Sequence, residues 1–109
     1  MSGSRTIIAE GQRLDNVHPG DVLREDFLVG SKITVAELAD GARIDIGVVT
    51  NILAARAAID ADTDLRLARY FDMSDGFFLR LQTAFDLEAA RLSGGPDYDR
   101  ITPRITRAA

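Results

Sequence analysis

The sequence contains no cysteine, only one histidine and no long apolar run. Without cysteine the chain has neither a disulfide framework nor a thiolate metal site, and His18 alone cannot build a zinc site. No segment approaches the roughly 18 apolar residues that a membrane span needs, and the polar N-terminus lacks the apolar segment of a signal peptide. The composition therefore predicts a soluble, cytoplasmic protein without membrane contact, structural zinc or cysteine chemistry.

Positive charge is also scarce. The net charge is -4 and the pI is about 4.8, which argues against indiscriminate binding of nucleic acid through overall charge. Of the 13 basic residues only Lys32 is a lysine, and the others are arginines, which suit bidentate pairing with carboxylate or phosphate. Any contact with DNA must therefore be local, and an acidic protein surface is an equally good partner for the arginines.

What the chain does have is apolar content and helical spacing. The 109 residues are 46% hydrophobic, which is enough for one compact domain. We expect a mobile N-terminal arm over residues 1–17, a domain over 18–93 and a basic, extended C-terminal tail over 94–109. The Thr102-Pro103 pair in that tail disfavours helix.

Helix starts are marked by capping residues. Pro19 suits the first position of a helix that His18 helps to cap, and Thr34 with Glu37 has the spacing of a capping box. Later starts are predicted at Asp45, at Asp60 or Asp62, and at Ser74. Apolar residues follow at helical spacing, in the sets Val49, Ile52, Leu53, then Leu65, Ala68, Phe71, then Phe78, Leu81, Phe85, Leu92. No segment has the alternation of a strand, so the predicted fold class is all-α.

The sequence gives no support for a metal site, a cofactor or an enzyme. Asp60, Asp62 and Asp64 alternate as in a calcium loop, but Leu65 and Phe71 stand where that loop needs glycine and glutamate. Helix capping explains the three carboxylates better. His18 has no nucleophile of recognisable context nearby, so we expect no catalytic residue.

Five helices in this order, the second and third joined by the tight turn "GARI", are typical of a phage-repressor-like helix-turn-helix domain. The stretches "HPGDVLREDFL", "ELADGARIDIGVVTNIL", "IDADTDLRLARYF" and "FFLRLQTAFDLEAAR" resemble successive signature stretches of the HigA-type antitoxins, over roughly residues 18 to 92. That resemblance implies a homodimer that binds double-stranded operator DNA. It also implies a second partner, a small, usually basic, mRNA-cleaving toxin that the antitoxin neutralises.

The segment that resembles the DNA-reading part of this family departs from its pattern. Val35, which we expect to be exposed early in the second helix, stands where relatives often have glutamine. Asp45, Ile46 and Gly47 replace a proline followed by arginine and serine. Between Thr34 and Thr63 there are five acidic residues and two arginines. Base recognition there must depend on uncharged side chains.

Thr50 and Asn51 are the predicted base readers. A threonine methyl can pack on a thymine methyl, and an asparagine amide can pair with adenine. Arg43 and Arg56, with Arg66 as a further candidate, are expected to contact phosphates together with backbone N–H groups at helix starts. The full set of predicted DNA contacts is Val35, Arg43, Ile46, Gly47, Val48, Thr50, Asn51 and Arg56.

The last predicted helix has more apolar surface than a domain of this size should leave in water. Phe77, Phe78, Phe85 and Leu92 are therefore predicted to form the dimer interface. An alternative is that Gly47 and Val48 face a protein, in which case the chain is an interaction module that has lost operator binding. A more distant alternative is a regulator that responds to a small molecule, although no sequence feature marks a ligand pocket.

Overall fold

The computed structural model describes residues 16–104, which form five helices in the predicted order. Helix α1 starts with an α-helical turn at Pro19–Val22 and continues with π-helical hydrogen bonding over Leu23–Val29. The other helices are α2 at Val35–Ala42, α3 at Ile46–Leu53, α4 at Ala61–Phe71 and α5 at Phe77–Tyr98. No strand occurs between residues 16 and 104, and the all-α prediction is confirmed.

The predicted N-terminal arm falls largely outside the described residues, whereas most of the predicted C-terminal tail falls within them. Only residues 16 and 17 of the N-terminal arm are described, and residues 105–109 of the tail are not. The tail prediction is wrong over residues 94–98, because α5 continues through Pro96 to Tyr98. Residues 101–103 are not helical, in line with the Thr102-Pro103 pair. Within the described part of the chain, no helix combines the length and apolar character needed to cross a membrane.

Four of the five helix starts are capped as the sequence predicts. His18 Nδ1 accepts a hydrogen bond from the Gly20 N–H at 2.9 Å, and the Asp45 carboxylate accepts one from the Gly47 N–H at 3.0 Å. Thr34 and Glu37 form both hydrogen bonds of the capping box. Asp60, rather than Asp62, caps α4, and the hydrogen bond from the Thr63 backbone N–H lowers the pKa of Asp60.

The start of α5 is held differently from the prediction. Ser74 does not cap this helix; the capping position is Gly76, with φ of 92° and no side-chain cap of its own. The carboxylate of Asp64 on α4 accepts hydrogen bonds from the Gly76 N–H at 2.6 Å and from the Leu79 N–H at 2.8 Å. Asp64 is almost fully buried, so α4 provides the N-terminal cap of α5.

Burial of Asp64 also sets which face of α4 points inward. Its buried residues are Thr63, Asp64, Leu67 and Ala68, whereas Leu65 is 39% exposed. The prediction that Leu65 faces the core is wrong, because the inward stripe includes an aspartate that a search for apolar spacing passes over.

The core lies where all five helices meet. Its largest fully buried apolar side chains are Phe78, Leu23, Leu38, Ile52, Ile59, Leu67 and Val49. The Phe27 ring contacts those of Phe71 and Phe78, with centroids 4.9 and 5.1 Å apart. Tilted and edge-on ring pairs of this kind are the favoured aromatic arrangement.

Helix α1 fixes the position of α3. Gly20 lies so close to α3 that an added Cβ would overlap the Ile52 carbonyl group. Arg24 donates to the Leu53 carbonyl oxygen at 3.0 Å, at the end of α3 where carbonyls lack helical partners, and also pairs with Asp21 at 2.9 Å. The hydrogen bond with Asp21 raises the pKa of Arg24 above its ordinary value. Helix α3 is thus held at its buried face and at its C-terminal end.

Candidate nucleic-acid interface

Helices α2 and α3 form a helix-turn-helix unit. Arg43 ends α2 in the left-handed conformation, with φ of 58°, and the Ile44 N–H donates to the Ala39 carbonyl oxygen at 2.9 Å. The buried Ile44 side chain anchors this turn. Val49 and Ile52 hold α3 to the core, so the opposite face of α3 is directed to solvent.

The solvent face of α3 carries five of the predicted DNA contacts. Ile46 is 51% and Val48 is 40% exposed, and Gly47, Thr50 and Asn51 are also exposed. The Thr50 hydroxyl donates to the Ile46 carbonyl oxygen at 2.8 Å, which leaves its oxygen free to accept. The Asn51 amide has no hydrogen-bond partner within residues 16–104, so both its donor and its acceptor are available to a ligand.

Val35 differs from the other predicted contacts. Its side chain is half-buried and packs against the core, although we expected it to be exposed at the start of α2. The reason is its place one turn before Leu38 and Ala39, the buried residues of that helix. Contact between Val35 and DNA stays a prediction.

Two arginines flank α3 without ionic partners. The side chains of Arg43, before α3, and Arg56, after it, have no hydrogen bond or ion pair within the described range 16–104. Arg66 differs from the expectation, since its guanidinium is bound to the Asp62 carboxylate at 2.8 Å and to the Arg43 carbonyl oxygen at 2.9 Å. Two of the five N–H donors of Arg66 are therefore engaged, and a phosphate would have to use the remaining ones.

Carboxylates occupy the starts of α2 and α3. The Glu37 N–H donates to Thr34 and the Gly47 N–H donates to Asp45, so these two backbone donors are engaged. A phosphate at either helix start would also meet the negative charge of Glu37 or Asp45. Arg43 and Arg56 are therefore the best-placed residues for contacts with a nucleic-acid backbone.

The three alternating aspartates have separate roles. Asp60 caps α4, Asp62 pairs with Arg66, and Asp64 holds the start of α5. Over residues 16–104, no three histidine, aspartate or glutamate side chains are grouped so as to hold a metal ion.

The chain is similar to solved antitoxins in both fold and sequence. No protein-family model matches the chain. Antitoxin HigA of Pseudomonas aeruginosa, solved with the higBA promoter, is 34% identical, with a TM-score of 0.77 over 84% of this chain and 100% of that one. An addiction module antidote protein of a HigA family from Coxiella burnetii is 35% identical, with a TM-score of 0.76 over 83% of this chain and 99% of that one. The chain belongs to the HigA family of antitoxins.

A further relative of this HigA-family antitoxin is Virulence-associated protein I of Dichelobacter nodosus. The two sequences are 34% identical over 85 residues, which cover 78% of this chain and 79% of the relative. The resemblance seen in the four quoted sequence stretches is confirmed. The solved relatives are an antitoxin and an antidote protein rather than enzymes.

The residues predicted for a dimer interface of this HigA-family chain differ in burial and separate into three groups. Phe78 is fully buried in the core of its own chain, so its assignment to an interface is wrong. Phe77 is half-buried against Phe27 and Phe78, and Phe85 is half-buried with its ring 4.9 Å from that of His18. Leu92 is well exposed. Adjacent residues of a helix point about 100° apart, which is why Phe77 and Phe78 differ.

Two features of the antitoxin that bear on the site, the further exposed apolar residues of α5 and the contact of Arg24 with α3, are not evident from the sequence. Leu87 and Tyr98 add exposed apolar surface to α5 on a side that the core stripe does not include. Arg24 holds the C-terminal end of α3, although it lies 29 residues earlier in the chain. No local pattern could reveal that contact, because the two residues meet only in the folded domain.

Proposed function

We propose that this HigA-family antitoxin binds its own operator as a dimer and represses transcription, with α3 in the major groove. The observation that carries the proposal is the solvent face of α3, where the Asn51 amide, beside Thr50 and Gly47, has no hydrogen-bond partner within residues 16–104. An asparagine amide can make a bidentate pair with adenine. The HigA relative solved with its promoter supports DNA as the ligand.

The chemistry of this face indicates which bases it reads. Ile46, Val48 and the Thr50 methyl offer apolar contacts to thymine methyl groups, and Gly47 has no side chain to hold the backbone away from the DNA. None of these residues makes the bidentate contact with guanine that arginine provides. We therefore expect the operator half-site to present A·T pairs to α3.

Arg43 and Arg56 position the helix in this proposal. Neither side chain has a partner in the described range 16–104, and the two residues lie before and after α3, which spans Ile46–Leu53 and is about 12 Å long. Contacts of this kind set the register of the protein on DNA without reading sequence.

We further propose that two copies pair through the outer half of α5. This helix has 22 residues and is about 33 Å long. Leu87 and Tyr98 are exposed on one side of it, and Leu92 is exposed on the side that continues the stripe of Phe85. Such a surface on a chain of this size is typical of an interface. Pairing would place the two α3 helices in successive major grooves about 34 Å apart.

The second proposed partner is a small basic toxin that cleaves mRNA. Glu25 and Asp26 are exposed on α1, and the whole chain carries a net charge of -4, which favours association with a basic protein. Growth of cells that express the toxin encoded beside this gene tests this proposal. Co-expression of the antitoxin should restore growth, and failure to restore it would contradict toxin neutralisation.

A mobility shift with the upstream region of the gene tests operator binding, with a scrambled duplex of the same composition as the control. We expect preferential binding of the upstream region. Light scattering tests pairing, since one chain has a mass of 11.9 kDa and a dimer should have about twice that mass. A monomeric mass at micromolar concentrations would contradict pairing through α5.

The carboxylates of Glu37 and Asp45 favour a second candidate function. They place negative charge at the starts of the two helices that would face DNA. If the protein shows no preference for the upstream region at low salt, the α2–α3 face is better explained as a surface that binds protein.

A further inference from the structure

A groove lies between the C-terminal end of α2 and the exposed side of α4. It encloses about 620 Å³ and is separate from the solvent face of α3. We call it the arginine groove, because three of its residues are arginines. It is lined by Gly41, Ala42, Arg43, Asp62, Leu65, Arg66, Arg69 and Tyr70. Three arginines against one aspartate make it locally basic in a chain that is acidic overall.

The base of the arginine groove is rigid and partly apolar. Arg66 is fixed by its bonds to Asp62 and to the Arg43 carbonyl oxygen. Gly41 packs against the Tyr70 ring so closely that an added Cβ would lie 2.8 Å from Tyr70 Cδ1. Leu65 leaves 39% of its surface in water, so an apolar side chain of a ligand would find a partner here.

The charges at the edge of the groove are available to a ligand. Arg43 has no side-chain partner in the part of the chain that the structure describes. The side chain of Arg69 is 72% exposed, and its nearest charged atom is 3.8 Å from an Asp75 oxygen, too far for a hydrogen bond. Exposed ion pairs at such distances contribute little to stability, so a better-placed carboxylate of a ligand can replace Asp75 as the partner of Arg69.

The position of the groove argues against DNA as its ligand. Ala36 and Asp40 of α2 line the cleft next to the start of α3, whereas Gly41 lines the arginine groove next to α4. Ala36 and Gly41 are five residues apart, which separates them by about 140° around the helix axis. A duplex in contact with α3 therefore lies against a different side of α2.

We propose that the arginine groove is a docking surface for an acidic segment of a partner protein, with carboxylates that flank an aliphatic side chain. Guanidinium groups form bidentate hydrogen bonds with carboxylates. Arg43 and Arg69, whose side chains make no hydrogen bond within residues 16–104, line the groove together with Leu65. A basic segment would meet charge of its own sign, so the basic surface of a toxin does not fit here. The inference goes beyond operator binding. Arg43 lines both this groove and the cleft at the start of α3, where it is a proposed phosphate contact, so the test changes Arg69 and leaves Arg43 in place.

A fluorescein-labelled peptide of alternating glutamate and leucine tests the docking surface by fluorescence anisotropy with the full chain. A peptide with lysine in place of glutamate is the matched probe. We expect the acidic peptide to bind and the basic one not to bind. The amide resonances of Gly41, Leu65 and Tyr70 should shift when the acidic peptide is added.

The variant Arg69→Glu should weaken binding of the acidic peptide about tenfold, because one charge-assisted pair is lost. Arg104→Glu makes the same charge change at an exposed residue outside the groove, and we expect it to have little effect. Both variants should keep the circular dichroism spectrum and the operator affinity of the unaltered protein.

Three results would overturn the proposal. Equal binding of the basic peptide would show that only apolar contact matters. Unchanged affinity in Arg69→Glu would place the peptide elsewhere. Shifts of the Leu65 and Tyr70 resonances when an operator duplex is added without peptide would assign the groove to nucleic acid, since these two residues line the groove and not the cleft at the start of α3. None of these results bears on whether α3 prefers the upstream region, which the mobility shift measures separately.

Discussion

Asp64 connects two helices through one buried carboxylate. It accepts hydrogen bonds from the backbone N–H groups of Gly76 and Leu79, at the start of α5. Replacement by alanine would leave both donors without their acceptor in a buried place, so Asp64→Ala should lower the free energy of unfolding by about 3 kcal/mol. Urea denaturation followed by circular dichroism measures this change.

The matched control is Asp62→Ala, which removes a carboxylate two residues earlier in the same helix. Asp62 is exposed and, within residues 16–104, pairs only with Arg66, so its loss should lower the free energy of unfolding by about 0.5 kcal/mol. Equal losses for the two variants would contradict the role of Asp64 as the cap of α5.

The cap residue Asp60 gives a prediction about how the stability of the fold changes in acid. The hydrogen bond from the Thr63 backbone N–H lowers the pKa of Asp60 below its ordinary value of 3.8, so its contribution to stability is present above that value. It should be lost as the pH falls through the lowered folded-state pKa. Asp60→Asn keeps a capping oxygen without a charge, and we expect a flatter loss of stability between about pH 5 and pH 2. An unchanged acid profile in denaturant titrations would contradict this.

Single residues also show what local patterns can and cannot predict. The capping box of Thr34 and Glu37 was predictable because all of its atoms lie within four residues. The cap of α5 was not, because Asp64 is ten residues before Ser74 in the chain and reaches α5 only through the packing of α4. Rules for local capping select the nearest suitable residue, and that residue was the wrong one.

At the scale of helices, replacement of two glycines by alanine should change the stability in opposite directions. Gly20 lies against the Ile52 carbonyl group of α3, so the Cβ of Gly20→Ala would force α1 and α3 apart. This variant should lower the free energy of unfolding by about 2 kcal/mol. An added Cβ on Gly95, within α5, meets nothing within 4 Å. Because alanine favours helix, Gly95→Ala should raise the stability by about 0.5–1 kcal/mol.

Thermal unfolding of the two glycine variants measures both changes. Loss of stability in Gly95→Ala would contradict the extent of α5 through residues that the sequence assigned to an extended tail. A neutral Gly20→Ala would contradict the close approach of α1 and α3, and with it the account of how α3 is held.

The order and type of the helices were predictable, whereas some of their faces and ends were not. Spacing of Val49, Ile52 and Leu53 identified the buried face of α3 because only apolar residues form it. Spacing misplaced Leu65 because the inward face of α4 contains a satisfied aspartate. The length of α5 was underestimated because Gly94, Gly95 and Pro96 disfavour helix individually.

For the whole molecule, the distribution of charge predicts how operator binding depends on salt. Each copy has two arginines beside α3, Arg43 and Arg56, that are without a side-chain partner among residues 16–104, so a dimer would neutralise about four phosphates. Counterion release gives about -0.9 per phosphate, and the slope of log affinity against log salt should be about -4. Titrations at several salt concentrations measure it. A slope near -10 would show that other basic residues, such as those of the tail, wrap the DNA.

The central claim is that α3 reads bases through Asn51 while Arg56 contacts only phosphate. Its most direct test is the ratio of affinities for the upstream region and a scrambled duplex, measured for Asn51→Ala and Arg56→Ala by mobility shift. Loss of a bidentate base contact costs about 1–3 kcal/mol, so Asn51→Ala should lower the ratio by about tenfold to a hundredfold. Arg56→Ala should weaken both duplexes alike and leave the ratio unchanged. An unchanged ratio in a folded Asn51→Ala protein would contradict the claim.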